Sequence, residues 1–249
     1  MSVALITGAS RRIGAAITSH LAEVGHKVII HSRHPDDADA AGLRENIIAG
    51  GGDAYHIAGD LAEQRVMTDL LDHAVSTVGE PIGLLVNNAS VFEEDSLECV
   101  SFESWDLHQR INLLAPLMLS KAFAAQLPRD AEGLIVNITD QRVWRLNPTF
   151  LSYTASKAGL WTLTQTLAQT LAPRIRVNAI GPGPVFESIH QTSESFQAEA
   201  ARVPLQKGPD AKEIAAAVSF LLESPSITGQ MLAIDGGQHL AWQTPDVST

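Results

Sequence analysis

Apolar residues in this chain fall into short, nearly continuous runs, separated by longer stretches where apolar and polar positions recur with a helical period. Seven runs, Val3–Thr7, Lys27–His31, Ala54–Ala58, Ile82–Val86, Gly133–Ile138, Ile175–Ala179 and Gln230–Ile234, are rich in Val, Ile and Leu. A strand with one wet face alternates, so runs apolar at successive positions predict strands covered on both faces. Between them the pattern predicts helices at about Arg12–Val24, Pro35–Ala49, Glu63–Val78, Phe102–Leu127, Ser152–Leu171 and Lys212–Glu223. Strand and helix in alternation imply right-handed crossovers, and therefore an α/β fold built on a doubly wound parallel sheet with helices on both faces. No repeat, low-complexity segment or linker divides the chain, so residues 1–249 are expected to form a single domain. The longest stretch without a pattern lies between Gly181 and Pro209. A connection of that length in a compact domain is usually functional, and a substrate lid is expected at about 184–209, with Phe186 and Phe196 in it.

Composition narrows the class. Of 249 residues 45% are apolar and 18% charged, which suits a globular protein with a sizeable core. A formal charge of −11 with no long basic run argues against nucleic acid as a partner. The single cysteine, Cys99, excludes an intrachain disulfide and fits a reducing compartment. No apolar run reaches membrane-spanning length, and the first residues lack the basic and apolar segments of a signal peptide. A cytoplasmic protein without membrane association is expected. Nine histidines form no ligand set with carboxylates or Cys99, so no metal is expected.

The first strand runs into Thr7-Gly8-Ala9-Ser10-Arg11-Arg12-Ile13-Gly14 and then a helix. Glycine in such a turn lets backbone N–H groups and a helix N-terminus face a pyrophosphate. At the end of the second strand, His31-Ser32-Arg33-His34 carries no acid before Asp36. An acid there would bond a ribose 2′-hydroxyl and repel a 2′-phosphate. Ser32 and Arg33, with Arg12 alongside, can bind that phosphate through charge-assisted hydrogen bonds, so NADP(H) is the expected cofactor.

The turn resembles the T-G-x-x-x-G-x-G of the short-chain dehydrogenase/reductase family, with Arg12 at the middle glycine. Asp60-Leu61 after the third strand, Asn87-Asn88-Ala89-Ser90 after the fourth and Tyr153-Thr154-Ala155-Ser156-Lys157 (Y-x-x-x-K) extend the likeness over essentially the whole chain. The resemblance implies a Rossmann-type fold. It also implies a cofactor site at Gly8, Ser10, Arg11, Arg12, Ile13, Gly14, His31, Ser32, Arg33, Asp60, Leu61, Asn88, Ala89, Ser90, Tyr153, Lys157, Pro182 and Gly183. Asp60 would address the adenine amino group. Four residues apart on a helix, Tyr153 and Lys157 share a face, and an ammonium beside a phenol should lower the phenol's pKa and assist proton transfer. Asn112 matches the family's fourth catalytic position, which holds a water near the lysine; its other reading is a helix-interior Asn bonding locally.

One position departs from the family. Most members carry a serine donor thirteen residues before the tyrosine, where this chain has Asp140. An ionised carboxylate cannot donate and repels a developing alkoxide, so simple ketone reduction is disfavoured. It suits a substrate that presents N–H donors or takes a proton at ring nitrogen. Asp140, Arg12, Ser32, Arg33, Ser90 and the C-terminal Asp235-Gly236-Gly237-Gln238-His239-Leu240 resemble the pteridine reductases and bacterial dihydromonapterin reductases. In that branch Phe92 is the aromatic that holds the pterin against nicotinamide. The expected reaction is therefore NADPH-dependent reduction of a C=N bond in a dihydropterin or dihydrofolate-like ring. Ser90, Phe92, Asp140, Tyr153 and Phe186 would hold substrate, with Asp140, Tyr153, Lys157 and Asn112 catalytic. The competing readings are a carbonyl or 3-oxoacyl reductase with a protonated Asp140 donating in the serine's place, and a non-catalytic nucleotide sensor. Apolar residues around more than one face of Phe102–Leu127 and Ser152–Leu171, with the family's habit of pairing these helices, imply a homo-oligomer, usually a tetramer.

Overall fold

A computed structural model describes residues 2–187 and 191–242 of the chain. Seven strands form one parallel sheet in the order β3-β2-β1-β4-β5-β6-β7. They are β1 (Val3–Ile6), β2 (Lys27–Ser32), β3 (Ala54–Ala58), β4 (Ile82–Asn87), β5 (Gly133–Ile138), β6 (Ile175–Pro182) and β7 (Met231–Ile234). Between them run α1 (Arg12–Glu23), α2 (Ala38–Ala49), α3 (Gln64–Val78), α4 (Phe102–Gln109), α5 (Ala115–Gln126), α6 (Leu151–Leu171), α7 (Ser193–Arg202) and α8 (Ala211–Glu223). The uninterrupted apolar character of the strands has its reason here. Ala4, Ile6, Val28, Ile30, Leu84 and Val86 pack on one face with α1 and α8, while Val3, Leu5, Ile29, Leu85 and Ile135 pack on the other with α3 and α5. Each face has its own core, so the alternate positions of every central strand are all buried.

The sheet reverses direction of growth between β1 and β4, and a crevice opens at the carboxyl ends of strands at such a point. The loops there are the ones that carry the motifs.

Three predicted elements are corrected. The second helix begins at Ala38 and not Pro35, because Asp37 caps it by accepting from the N–H groups of Asp39 and Ala40. The segment Phe102–Leu127 is not one helix. A π turn, Arg110–Leu114, separates α4 from α5, with the Ala115 N–H reaching back five residues to the Arg110 carbonyl. Pro116, in the first turn of α5, has no N–H to continue the regular ladder. Third, the stretch without a sequence pattern contains a helix, α7, whose start is closed by a capping box between Thr192 and Ser195. Residues 188–190 of the expected lid lie outside the described residues. No helix among the described residues is long and apolar enough to cross a membrane.

Candidate functional site

The glycine turn is welded to the β4 loop. The Thr7 hydroxyl accepts from the N–H groups of Asn88 and Ala89, both at 3.0 Å, and the Asn88 amide donates to the carbonyls of Thr7 and Gly8, both at 2.9 Å. Space is the constraint on the glycines. Gly8 sits at φ +59°, and a Cβ on Gly14 would lie 2.3 Å from the Gly8 carbonyl oxygen. The N-cap of α1, Arg11, supplies no side-chain hydrogen bond, and the first turn has no acid. Its free N–H groups and the positive end of its dipole are suited to a phosphate. Arg12 adopts φ +54°, the left-handed region that a glycine would occupy without strain, at a cost of about 1–2 kcal/mol. Its guanidinium crosses the opening to Phe186, donating to the carbonyl at 3.4 Å and lying 5.4 Å from the ring centroid. Arg11 pairs instead with Asp39 at 2.8 Å on the surface.

The crevice continues as one cavity of about 730 Å³. Of the residues expected at the site, all but Ser10, Ser32 and Asn112 line it. Those three are corrections. Ser10 turns to hydrogen-bond Asp37. Ser32 is buried beneath the sheet end, donating to the His34 carbonyl at 2.8 Å with His56 Nε2 also at 2.8 Å, so it does not reach a 2′-phosphate. Arg33 does stand at the cavity, its Nε donating to Asp60 at 2.8 Å. Burial alone would raise the Asp60 carboxyl; the Ala62 N–H and Arg33 outweigh it and hold the group below the usual carboxylate range. With its oxygens on Arg33 and Ala62, Asp60 acts here as the brace of Arg33. His31 is neutral, since burial brings its pKa down to about 4. It accepts from the Gly8 N–H at Nδ1 (3.3 Å) and donates from Nε2 to the Gly59 carbonyl (3.0 Å), bridging two walls of the cavity.

At the other end, Tyr153 donates to Asp140 Oδ2 at 2.8 Å, and Asp140 Oδ1 accepts from the Arg142 N–H at 2.8 Å. Lys157, buried on the same face of α6, donates to the Ile138 carbonyl at 2.8 Å and lies 5.7 Å from the Tyr153 ring. Burial raises the Asp140 carboxyl above its ordinary value, against the pull of the Arg142 N–H and charge, Tyr153 and Lys157. Burial, then the Asp140 charge and hydrogen bond, push the Tyr153 phenol well above 10. Burial lowers Lys157 to about 8, with Asp140 opposing. The expected depression of the phenol by Lys157 is not seen: burial first, and then the hydrogen-bonded Asp140, hold the proton on Tyr153.

Asn112 is also corrected. It sits in the π turn with its side chain fully engaged: Oδ1 accepts from the Val91 N–H (2.8 Å) and Ser90 hydroxyl (3.2 Å), and Nδ2 donates to the Val91 carbonyl (2.9 Å) and Ser156 (3.1 Å). It ties the loop after β4 to α6, leaving the amide no capacity for a water.

Sequence reasoning missed a second tie. Asp95 accepts from the Ser152 N–H at 3.1 Å and, at short range, from the Ser152 hydroxyl. That hydroxyl meets His108 Nδ1 at 2.7 Å, and His108 Nε2 accepts from the Glu93 N–H at 3.2 Å. All three side chains are buried, and Ser152 immediately precedes Tyr153. Residues 57 and 44 positions apart form this chain, and no local spacing could announce it. Also missed was Phe150, which enters α6 at φ +54° and stacks on Phe92 with centroids 4.3 Å apart. Phe92 meets the Tyr153 ring edge-on at 4.7 Å. Gln141, Arg142, Glu199 and Gln238 complete the wall. No group of three or more His, Cys, Asp or Glu among the described residues could hold a metal ion.

A family model described as "short chain dehydrogenase" matches residues 2–198. The chain is 46% identical to FolM alternative dihydrofolate reductase 1 from Brucella canis, crystallised with NADP, covering 99% of this chain and 97% of that one with a TM-score of 0.95. It is 31% identical to a blue fluorescent protein from a metagenomic library crystallised with NADPH, covering 95% and 97% with a TM-score of 0.88. A 3-oxoacyl-[acyl-carrier-protein] reductase of Synechocystis sp. is 33% identical over 94% of this chain and 96% of its own length.

Proposed function

Because this chain belongs to the short-chain dehydrogenase family, we propose that it is an NADP(H)-dependent reductase acting on a C=N bond of a dihydropterin or dihydrofolate-like ring. The observation that carries the reading is the 2.8 Å bond between Tyr153 and Asp140, a carboxyl where a ketone reductase needs a donor. The 46% identity to the Brucella alternative dihydrofolate reductase supports it.

The open N-terminus of α1 and the glycines beside it would hold the pyrophosphate, and Arg33, braced by Asp60, a 2′-phosphate. NADPH, when bound, supplies a hydride to a ring carbon. The neighbouring ring nitrogen then takes a proton from Tyr153, whose high pKa keeps that proton in place until the nitrogen gains basicity. Asp140, the acceptor of the Tyr153 hydroxyl, holds the phenol in place before transfer. The phenolate that forms regains its proton from solvent through the cavity, with the Lys157 ammonium moderating the negative charge on the pair. Ser90 and Phe92 bound the substrate, and the segment at 184–209 closes over it. Exposed Phe102, Trp105 and Leu114 support a homo-oligomer formed through α4, α5 and α6.

A 3-oxoacyl reductase is the second reading, favoured by the raised Asp140 carboxyl, which when protonated donates as serine does. Purified protein with NADPH and dihydrofolate, dihydrobiopterin or a 3-oxoacyl thioester separates the two. NADPH oxidation with the reduced pterins is expected; turnover of the thioester alone overturns the proposal.

A further inference from the structure

Helix α6 opens on a residue that the helix itself does not call for. An N-cap is ordinarily a small polar residue in extended backbone, whose side chain accepts from the first turn. Phe150 has φ +54° and ψ +52°, the left-handed region, and its side chain makes no capping hydrogen bond. For a bulky L residue that conformation is strained. The capping is done from another segment. The Asp95 carboxylate accepts from the Ser152 N–H, and the Asp95 carbonyl accepts from the Phe150 N–H at 2.9 Å. Strain of this kind persists where the surroundings impose it, and it gathers at functional sites.

What the conformation achieves is the placing of a ring. Phe150 lines the cavity, and its ring lies parallel to that of Phe92, at 6° with centroids 4.3 Å apart. Tyr153, three positions further along α6 and so on the same side of the helix, stands nearly perpendicular to Phe92, at 78° and 4.7 Å. Phe92 belongs to a loop without regular secondary structure, so neither a strand nor a helix sets the direction of its ring. One turn of α6 fixes it instead, with Phe150 against its face and Tyr153 across its plane. We infer that Phe150 is a positioning residue: through the stack it sets the plane of Phe92, and so the tilt at which a flat substrate faces the Tyr153 hydroxyl. The face of Phe92 turned to Phe150 is occupied, so a flat ring meets Phe92 on the opposite face. Proton transfer needs donor and acceptor within hydrogen-bond reach, and a substrate held at the wrong tilt loses that reach even while bound. This goes beyond the reading above, which gives Phe150 no part, and rests on it only for the substrate's place against Phe92.

The test compares wild type with Phe150→Leu, Phe150→Asn and Phe150→Tyr. Leucine keeps apolar bulk without a ring. Asparagine suits both the left-handed region and a helix cap, so α6 keeps its start while the ring is gone. Crystal structures of these two variants should show the Phe92 ring turned out of the plane it holds beside Phe150. In both, kcat/KM for dihydrobiopterin should fall about tenfold or more, with the Kd for NADPH within about twofold of wild type. Phe150→Tyr keeps a ring to stack and should stay within about threefold of the wild-type kcat/KM. A merely structural role would weaken NADPH binding along with turnover. Phe92 unmoved in both ring-less variants, or kcat/KM kept within about threefold by both, overturns the inference. Phe92 turned in both, with no dihydropterin reduced by the wild type, upholds the setting of Phe92 and overturns the proposed reaction alone. Dihydropterin reduction unchanged in both variants does the reverse.

Discussion

Replacing Asp95 with alanine removes the acceptor for two donors of Ser152, its N–H at 3.1 Å and its hydroxyl, in a place closed to water. A hydrogen bond to a charged group is worth about 1.5–3 kcal/mol, so two give roughly 3–6 kcal/mol. Relief of the carboxylate's own burial offsets part of that, leaving about 2–4 kcal/mol. In a protein of this size 1 kcal/mol corresponds to about 2–4 °C, so Tm should fall by roughly 4–16 °C. Ser152→Ala removes one of the same bonds and should cost about half as much. The two changes share an interaction, so the double variant should lose less than the sum, by about 0.5–3 kcal/mol. Thermal unfolding followed by circular dichroism on the four proteins closes the cycle, and kcat should fall along with Tm because Tyr153 is the next residue. Additive losses, or an Asp95→Ala protein melting within 2 °C of wild type, would refute the claim that this buried chain sets the start of α6.

The lowered pKa of Lys157 has a sign to check: folded at about 8 and unfolded near 10.5, the chain binds more protons unfolded between those values, so its stability rises with pH across that window. The Tm of wild type relative to Lys157→Met should therefore improve from pH 8 to 10, and a flat difference would contradict the burial cost assigned to the ammonium. Arg33→Ala should raise the Kd for NADPH about tenfold or more while leaving NADH within twofold; fluorescence titration with both nucleotides reads this, and equal losses would remove Arg33 from the 2′-phosphate. Asp140→Ser should lower kcat/KM for a dihydropterin by about 10²-fold or more and create turnover of a simple ketone, a pair of rates measured by NADPH absorbance. A variant that keeps the pterin rate would show that the carboxyl is idle.

Much of this was legible in the residues. Strands buried on both faces carry a signal in every position, and Gly8, Gly14, Asn88, Tyr153 and Lys157 sit at element ends, or within two turns of them, that the pattern itself locates. Direction of side chains was less legible. Ser10 in the glycine turn and Ser32 at the end of β2 stand where expected, yet Ser32 turns to the carbonyl two residues on and Ser10 to Asp37, because a short hydroxyl bonds the nearest acceptor first. The π turn escaped because it preserves apolar content while adding a residue to one turn. The electrostatics around Tyr153 differ from expectation for a physical reason: sequence spacing gives Tyr153 and Lys157 a common face but shows neither the burial of the phenol nor its 2.8 Å bond to Asp140.

The weld between Thr7 and Asn88 has a consequence for how such a chain diversifies. It fixes the nucleotide half of the cavity to the sheet's central strands, through hydrogen bonds between segments about 80 positions apart. The other half hangs on the turn at 140–142 and the segment beyond β6, neither of which contributes to that weld. Substitutions at the second set leave the first in place, so one dinucleotide platform can serve successive substrates. Exchanging residues 140–143 and 184–209 between relatives is accordingly the smallest transplant that should transfer substrate choice while preserving nucleotide affinity.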